Sequence, residues 1–234
     1  MKPLLKKAAA RLAHRLLGTS FAKAEGDKAF ALVRFTRPDG SFDYDRYKAA
    51  QVEANKRKID NVWVLEPNIA YLCDYIKSHL GQPKFGLCHG TRRGDEQAWF
   101  RKYLGCEVIG TEISDTATQF PNTIQWDFHD VKPEWVNAVD FIYSNAFDHS
   151  YDPEACLNAW MSCIRLGGLC ILEHTSRHGP RRVTETDPFG AELVVMPYLI
   201  ATWGKGRYAV REILPGPERS RKLSYLNFIV ISRF

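Results

Sequence analysis

The run Lys84-Phe-Gly-Leu-Cys-His-Gly-Thr-Arg-Arg-Gly-Asp-Glu96, followed by Val108-Ile-Gly-Thr-Glu-Ile-Ser114, constrains the fold more than any other part of this chain. It reads as a strand, a glycine-pinned turn that opens a helix, and a second strand ending in an acid. A glycine at such a turn lets the backbone bend sharply and lets a ligand lie on the main chain. A carboxylate at the tip of the next strand can accept the two hydroxyls of a ribose. Glu112 falls 22 residues after Gly90 and 18 after Gly94, near the spacing of about 20 expected between a fingerprint glycine and its ribose acid. These parts predict a nucleoside pocket on an open α/β sheet.

The rest of the chain extends the alternation. Helical periodicity is expected over Asp45–Asp60 and Val62–Leu80, where Gly81 and Pro83 stop it. Strands are expected at Phe85–Cys88, Glu107–Thr111, Thr123–Trp126, Val139–Ser144 and Gly168–Glu173. Helical pieces fall between them at Asp95–Leu104, Ser114–Phe120, Pro133–Val136 and Pro153–Leu166. Strands spaced by helices imply a parallel sheet covered on both faces. After a Gly/Pro/Arg-rich loop, Ala191–Trp203 reads as a helix, and Tyr208–Leu214 with Leu226–Ser232 as an antiparallel hairpin. The expected organisation is a helical extension over residues 1–60 and a ligand-binding domain over 61–234.

Composition narrows the class. With 234 residues, 45% hydrophobic and 25% charged, the chain suits one soluble α/β domain with a short extension. A net charge of +5 permits an anionic partner without the clustering of a dedicated nucleic-acid module, so no DNA partner is expected. The six cysteines form no C-x-x-C pair and sit in apolar runs, which points to free thiols in a reducing, cytoplasmic compartment. No apolar run reaches the roughly 18 to 20 residues that span a bilayer. Residues 1–24 lack any acid and carry Lys2, Lys6, Lys7, Arg11, Arg15 and Lys23. Three readings stand for that segment: a docking helix, peripheral contact of residues 1–20 with an anionic inner-membrane surface, and an organelle transit peptide.

The ordered set of strand-end residues resembles the class I S-adenosylmethionine-dependent methyltransferases of small-molecule type, over roughly residues 62 to 234. That resemblance implies a Rossmann-like fold with a mostly parallel seven-stranded sheet, a C-terminal antiparallel hairpin and helices on both faces. It implies S-adenosyl-L-methionine as cofactor, with the glycine loop at Gly90 and Gly94 beneath it, Glu112 on the ribose, Asp127 at the adenine amino group and Phe128 beside the ring. His89, Thr91, Ile113, Ser144 and Asn145 complete the implied cofactor set. His149, Asp152-Pro153 and Gly167-Gly168 occupy places that recur after strand four, at the next helix start and before strand five in small-molecule members. Two departures stand out. Arg92 replaces the middle glycine of the usual G-x-G-x-G loop, and Cys88 stands where an acid is expected.

For a hydroxyl acceptor, methyl transfer needs alignment and a proton acceptor, and an imidazole titrating near neutrality suits that step. His149 is the first candidate and His174 the second, each also readable as a structural histidine. A metal site from Asp148, His149, Asp152 and His174 matches no recognised spacing, so no metal is expected. Arg92, Arg93, Asp148, Tyr151, Arg177 and His178 are the candidate acceptor-binding residues. Two cations at a helix start oppose its dipole and would be relieved by an anion, or by Asp95 and Glu96. The basic, aromatic mouth suits a small anionic acceptor such as a carbohydrate, methylated at oxygen. The rivals are an RNA methyltransferase, a nicotinamide-dependent oxidoreductase disfavoured by the missing G-x-G-x-x-G, and a non-catalytic nucleoside-binding scaffold.

Overall fold

A computed structural model describes residues 29–234. The basic segment read as a docking or membrane-surface helix lies outside the described residues. Within them, local chemistry sets the element ends. Helix α1 (Tyr44–Arg57) starts where the Asp43 side chain accepts the Arg46 amide. Such a cap satisfies one of the amides left bare at a helix start. Helix α2 (Glu66–Leu80) begins four residues later than the periodicity suggested, because Pro67 occupies its first turn. The helix expected over Pro153–Leu166 stops at Cys163, since Ile164 already pairs with Val139 in the sheet.

Strands β2 (Phe85–His89), β3 (Glu107–Glu112), β4 (Thr123–Gln125), β5 (Val139–Ser144) and β6 (Ile164–Thr175) run parallel in the order β4-β3-β2-β5-β6. Strand β9 (Leu226–Arg233) adds antiparallel to β6, and β8 (Tyr208–Pro215) closes that edge antiparallel to β9. The seven-stranded sheet with its terminal antiparallel hairpin is therefore as expected. Helices α2 and α3 (Asp95–Leu104) pack an apolar layer of Ile69, Leu72, Ile76 and Phe100 against one face. Helices α4 (Pro153–Cys163) and α5 (Met196–Gly204) bring Leu157, Trp160, Leu199 and Ile200 to the other. A sheet covered on both faces explains why its central strands are continuous apolar runs.

Strand order reverses between β2 and β5. Open α/β sheets bind ligands in the crevice that such a reversal leaves at the strands' carboxyl ends.

The segment before residue 61 holds a strand as well as a helix. Strand β1 (Phe30–Leu32) pairs antiparallel with β7 (Phe189–Ala191), Phe30 opposite Ala191. Strand β7 lies where the start of a helix was expected; α5 begins only at Met196. The pairing ties the early segment to the loop that follows β6 and lays α1 across the crevice. No helix among the described residues is long and apolar enough to cross a membrane.

Candidate active site

A cavity of about 590 Å³ opens at the carboxyl ends of β2, β3, β5 and β6, within the size range of small-molecule sites. Its floor begins at Gly90, whose φ of 74° lies in the left-handed region. A Cβ there would stand 2.5 Å from the Ala146 Cβ across the strand reversal, so only glycine fits. The Gly90 and Thr91 amides both donate to the Thr111 carbonyl, at 2.8 and 3.1 Å, which folds the turn against β3. Arg92 keeps the left-handed geometry with φ 46° despite its side chain.

This corner points one amide at Glu112, and the turn after β3 supplies a second. Its Oε2 accepts the Arg92 amide at 3.1 Å and its Oε1 the Ser114 amide at 3.0 Å. The carboxylate is buried and lines the cavity. Burial raises its pKa, against the two amide bonds that favour the charged form. Each oxygen keeps a second lone pair, which is what a pair of vicinal hydroxyls requires.

Asp127 and Phe128 also face the cavity. Asp127 Oδ1 accepts the His129 amide at 2.9 Å and lies 2.7 Å from His129 Nδ1, while Oδ2 accepts the Tyr44 hydroxyl at 2.8 Å. Burial works to raise this carboxyl, but His129 and Tyr44 outweigh it and hold it below the usual range. Phe128 is locked edge-on to Trp160, with ring centres 5.4 Å apart.

Of the other residues singled out in the sequence, Thr91, Arg92, Arg93, Ile113, Asn145, Asp148, His149, Arg177 and His178 line the same cavity. Five do not. His89 is buried against Trp160 and bonds the Thr111 hydroxyl at 2.8 Å. Ser144 fastens β5 to β2 through the His89 carbonyl at 2.9 Å. Gly94 (φ 82°) starts α3, where a Cβ would meet the Gln97 side chain at 2.3 Å. These three shape the floor from behind it. Tyr151 stacks on His129 at 3.7 Å and so braces Asp127's partner. His174 turns away, its Nε2 3.1 Å from the Ala191 carbonyl, and burial pushes its pKa down to about 3.

Period-two alternation explains the last case, because neighbours on a strand point to opposite sides. With His174 facing β7, Glu173 faces the cavity. It accepts the Tyr143 hydroxyl at 2.8 Å, and burial pushes its carboxyl up to about 7. Glu96, from α3, also lines the cavity and is pushed up to about 8 by burial.

His149 lines the cavity from the 3-10 turn after β5. Its Nδ1 lies 2.8 Å from Gln51 Oε1, and its Nε2 is 3.6 Å from Asp187 Oδ1 and 3.9 Å from Asp148 Oδ1. Sequence reading missed Gln51 and Lys58, which reach the cavity from the segment assigned to an extension, Trp63 just after it, and Asp187 and Lys222 from distant loops. Only Asp187-Pro188 carried a local signal, a turn at the end of an Arg-rich loop. Six cations, Lys58, Arg92, Arg93, Arg177, Arg182 and Lys222, line the cavity.

No family model matches the chain, and no curated protein matches it by sequence. Solved structures do match. The Burkholderia thailandensis 1,6-didemethyltoxoflavin-N1-methyltransferase, with 1,6-didemethyltoxoflavin and S-adenosylhomocysteine bound, is 15% identical over 87% of this chain and 95% of its own, with a TM-score of 0.63. The plantazolicin methyltransferase BpumL, in complex with a triazolic desmethylPZN analog and S-adenosylhomocysteine, is 12% identical over 81% of this chain and 96% of its own, at 0.62. The N-methyltransferase NodS from Bradyrhizobium japonicum WM9, in complex with S-adenosylhomocysteine, is 12% identical over 79% and 98%, at 0.57. Identities this low carry the architecture rather than the activity, and the architecture is plain: this chain has the Rossmann-like fold of the class I S-adenosylmethionine-dependent methyltransferases.

Proposed function

We propose that this protein binds S-adenosylmethionine and transfers its methyl group to an oxygen of a small, polar, anionic acceptor, with acidic or phosphorylated carbohydrates as the class. The observation that carries the cofactor half is the buried Glu112 carboxylate, held by one amide on each oxygen beside the Gly90 corner. That donor set fits an adenosine: Glu112 takes the ribose hydroxyls, Phe128 offers a ring face, and Asp127 Oδ2 keeps one lone pair for an amino group beside the Tyr44 hydroxyl, His129 occupying Oδ1. When bound, S-adenosylmethionine supplies an electrophilic methyl group on a sulfonium, whose neutral thioether leaves without an acid.

The acceptor half rests on the six cations and on Trp63, 52% exposed at the cavity wall, a surface on which a sugar ring can lie. In this reading His149 takes the hydroxyl proton at Nε2, which lies 3.9 Å from Asp148 Oδ1 and 3.6 Å from Asp187 Oδ1.

Calorimetry with S-adenosylmethionine, S-adenosylhomocysteine and NAD tests the cofactor half. The expected outcome is binding of the first two, and a loss of at least about tenfold in Glu112→Ala, since hydrogen bonds to a charged group contribute about 1.5–3 kcal/mol. Tight NAD binding with no response to the other two would overturn the proposal.

A further inference from the structure

We infer that the acceptor end of the cavity is a binding site for one divalent cation that accepts both carboxylate and imidazole ligands, such as Mn2+ or Zn2+, held by Asp148, His149 and Asp187. The donor atoms of these three side chains all lie within 4.8 Å of one another. The residues come from two separate places, the 3-10 turn Phe147–His149 after β5 and the loop before β7. Asp152 and His174, grouped with Asp148 and His149 by sequence, are not part of the cluster: Asp152 caps α4 and His174 bonds Ala191.

The hydrogen bonding around His149 and Asp187 points one atom of each at a common place, where Asp148 presents an unpartnered oxygen. The Gln51 amide nitrogen lies 3.2 and 3.3 Å from the Glu185 and Thr186 carbonyls, which fixes the amide so that its Oε1 faces His149 Nδ1. An amide oxygen only accepts, so Nδ1 carries the proton. In the neutral ring Nε2 then presents a lone pair toward two carboxylates, a repulsive arrangement that Lys58 offsets only from the side of the carboxylates and that a cation bound between the three would relieve directly. Metal-ligating histidines commonly donate their other ring N–H in this way.

Asp187 repeats the pattern. Its Oδ2 accepts the Thr184 and Thr186 hydroxyls at 3.0 and 2.9 Å, leaving Oδ1 for the cluster. Asp148 Oδ1 is inaccessible to solvent and has no hydrogen-bond partner among the described residues. Its Oδ2 lies 3.7 Å from His178 Nε2. His178 Nδ1 accepts the Thr175 amide, so its Nε2 carries the proton and offers no lone pair as a fourth ligand, and at 3.7 Å it makes no hydrogen bond to Asp148. Burial pushes the Asp148 carboxyl up to about 6, Asp187 adding to the rise against the pull of His149, and a bound cation would favour the charged form.

The spacing suits such an ion. Ligand bonds of about 2.0–2.2 Å in a tetrahedral site put neighbouring donors roughly 3.3–3.6 Å apart. The 3.6 and 3.9 Å separations of His149 from the two carboxylates need only a few tenths of an ångström of closure, and the carboxylates themselves lie within 4.8 Å of each other. At 3.6 Å and beyond, a protonated Nε2 would make no hydrogen bond to either carboxylate, so the imidazolium alone leaves the arrangement unexplained. One imidazole, a borderline donor, and two carboxylates, hard donors, make a set that suits first-row divalent ions. Three protein ligands leave open positions, and these face the cavity lined by the six cations. The use of the ion rests on the methyltransferase reading: it would hold an acceptor hydroxyl and lower its pKa so that the proton passes to water, His149 Nε2 then serving as a ligand and water replacing it as the proton acceptor. The binding itself does not rest on that reading.

The test uses the full chain stripped by a chelator and titrated with Mn2+ in calorimetry, with no cofactor present. One Mn2+ per chain is expected, weakened at least tenfold in Asp187→Asn and His149→Gln and unchanged in Glu53→Gln, an exposed acid on α1. Electron-spin-echo modulation of Mn2+ on the unaltered protein should show coupling to one imidazole nitrogen, a measurement that needs no variant to fold. Absence of saturable uptake up to millimolar Mn2+, uptake undiminished in a folded Asp187→Asn protein, or bound Mn2+ without nitrogen coupling would each overturn the site. Because S-adenosylhomocysteine binding is measured separately, either result leaves the cofactor proposal to its own test.

Discussion

Arg92 shows how one residue reports the shape of a turn. A position usually given to glycine carries an arginine at φ 46°, a left-handed conformation that costs a side-chain-bearing residue about 1–2 kcal/mol. Its amide is the donor to Glu112 Oε2, so the strained backbone positions the group at the centre of the site. The guanidinium reaches the Asn61 carbonyl at 3.0 Å, and burial lowers its pKa against the pull of Glu112, Glu96 and Asp187. Its cation therefore stands inside the cavity rather than paired across the helix start. Arg92→Gly should be more stable than Arg92→Ala by about 1 kcal/mol, because both lose the side chain and only glycine relieves the turn. Chemical denaturation of the two variants decides it; equal stabilities would mean that the turn is not left-handed.

At the scale of elements, α1 is the part whose role changed most. It reads from sequence as a charged helix of an extension, yet it roofs the cavity. The Tyr44 hydroxyl donates to Asp127, the Tyr47 hydroxyl to the His149 carbonyl at 3.1 Å, and Gln51 orients the His149 ring. Phe42 and Tyr47 pack on Tyr151 with ring centres 4.5 and 4.7 Å apart. Hydrogen bonds to a carboxylate contribute about 1.5–3 kcal/mol. Tyr44→Phe should therefore speed amide exchange across residues 44–57 by roughly tenfold or more while leaving β5 and β6 unchanged. Exchange mass spectrometry reads this directly, and a uniform change over the whole chain would argue against α1 as a separately held roof.

Over the whole molecule, buried acids make stability depend on pH in an uncommon direction. Burial pushes Glu173 up to about 7 and Glu96 up to about 8, from an ordinary value of 4.5. Between about pH 5 and pH 8 the folded chain thus binds more protons at these sites than the unfolded chain. Their contribution is fully present below the unfolded pKa and is lost as pH rises through the folded values. Glu173→Gln removes one of the two titrations and can still accept the Tyr143 hydroxyl. Its stability should fall less steeply over that window, by on the order of 2 kcal/mol, in denaturant titrations at a series of pH values. Identical slopes for the two proteins would show that Glu173 stays charged throughout.

The sequence by itself determined what depends on neighbours along the chain. Turn chemistry and alternating apolar runs were enough for β2 to β6, the terminal hairpin, Gly90 as the corner and Glu112 at the next strand's tip, because a strand's end and the residue on it are fixed within a few positions. Only the tertiary structure decided which of Glu173 and His174 faces the cavity, that β1 pairs with β7, and that α1 covers the site. Gln51, His149 and Asp187 lie far apart in the chain, and their donor atoms meet only once the sheet has been wound and the early segment laid across it. Convergence of that kind leaves no periodicity to read, since it is set by packing between elements rather than within them.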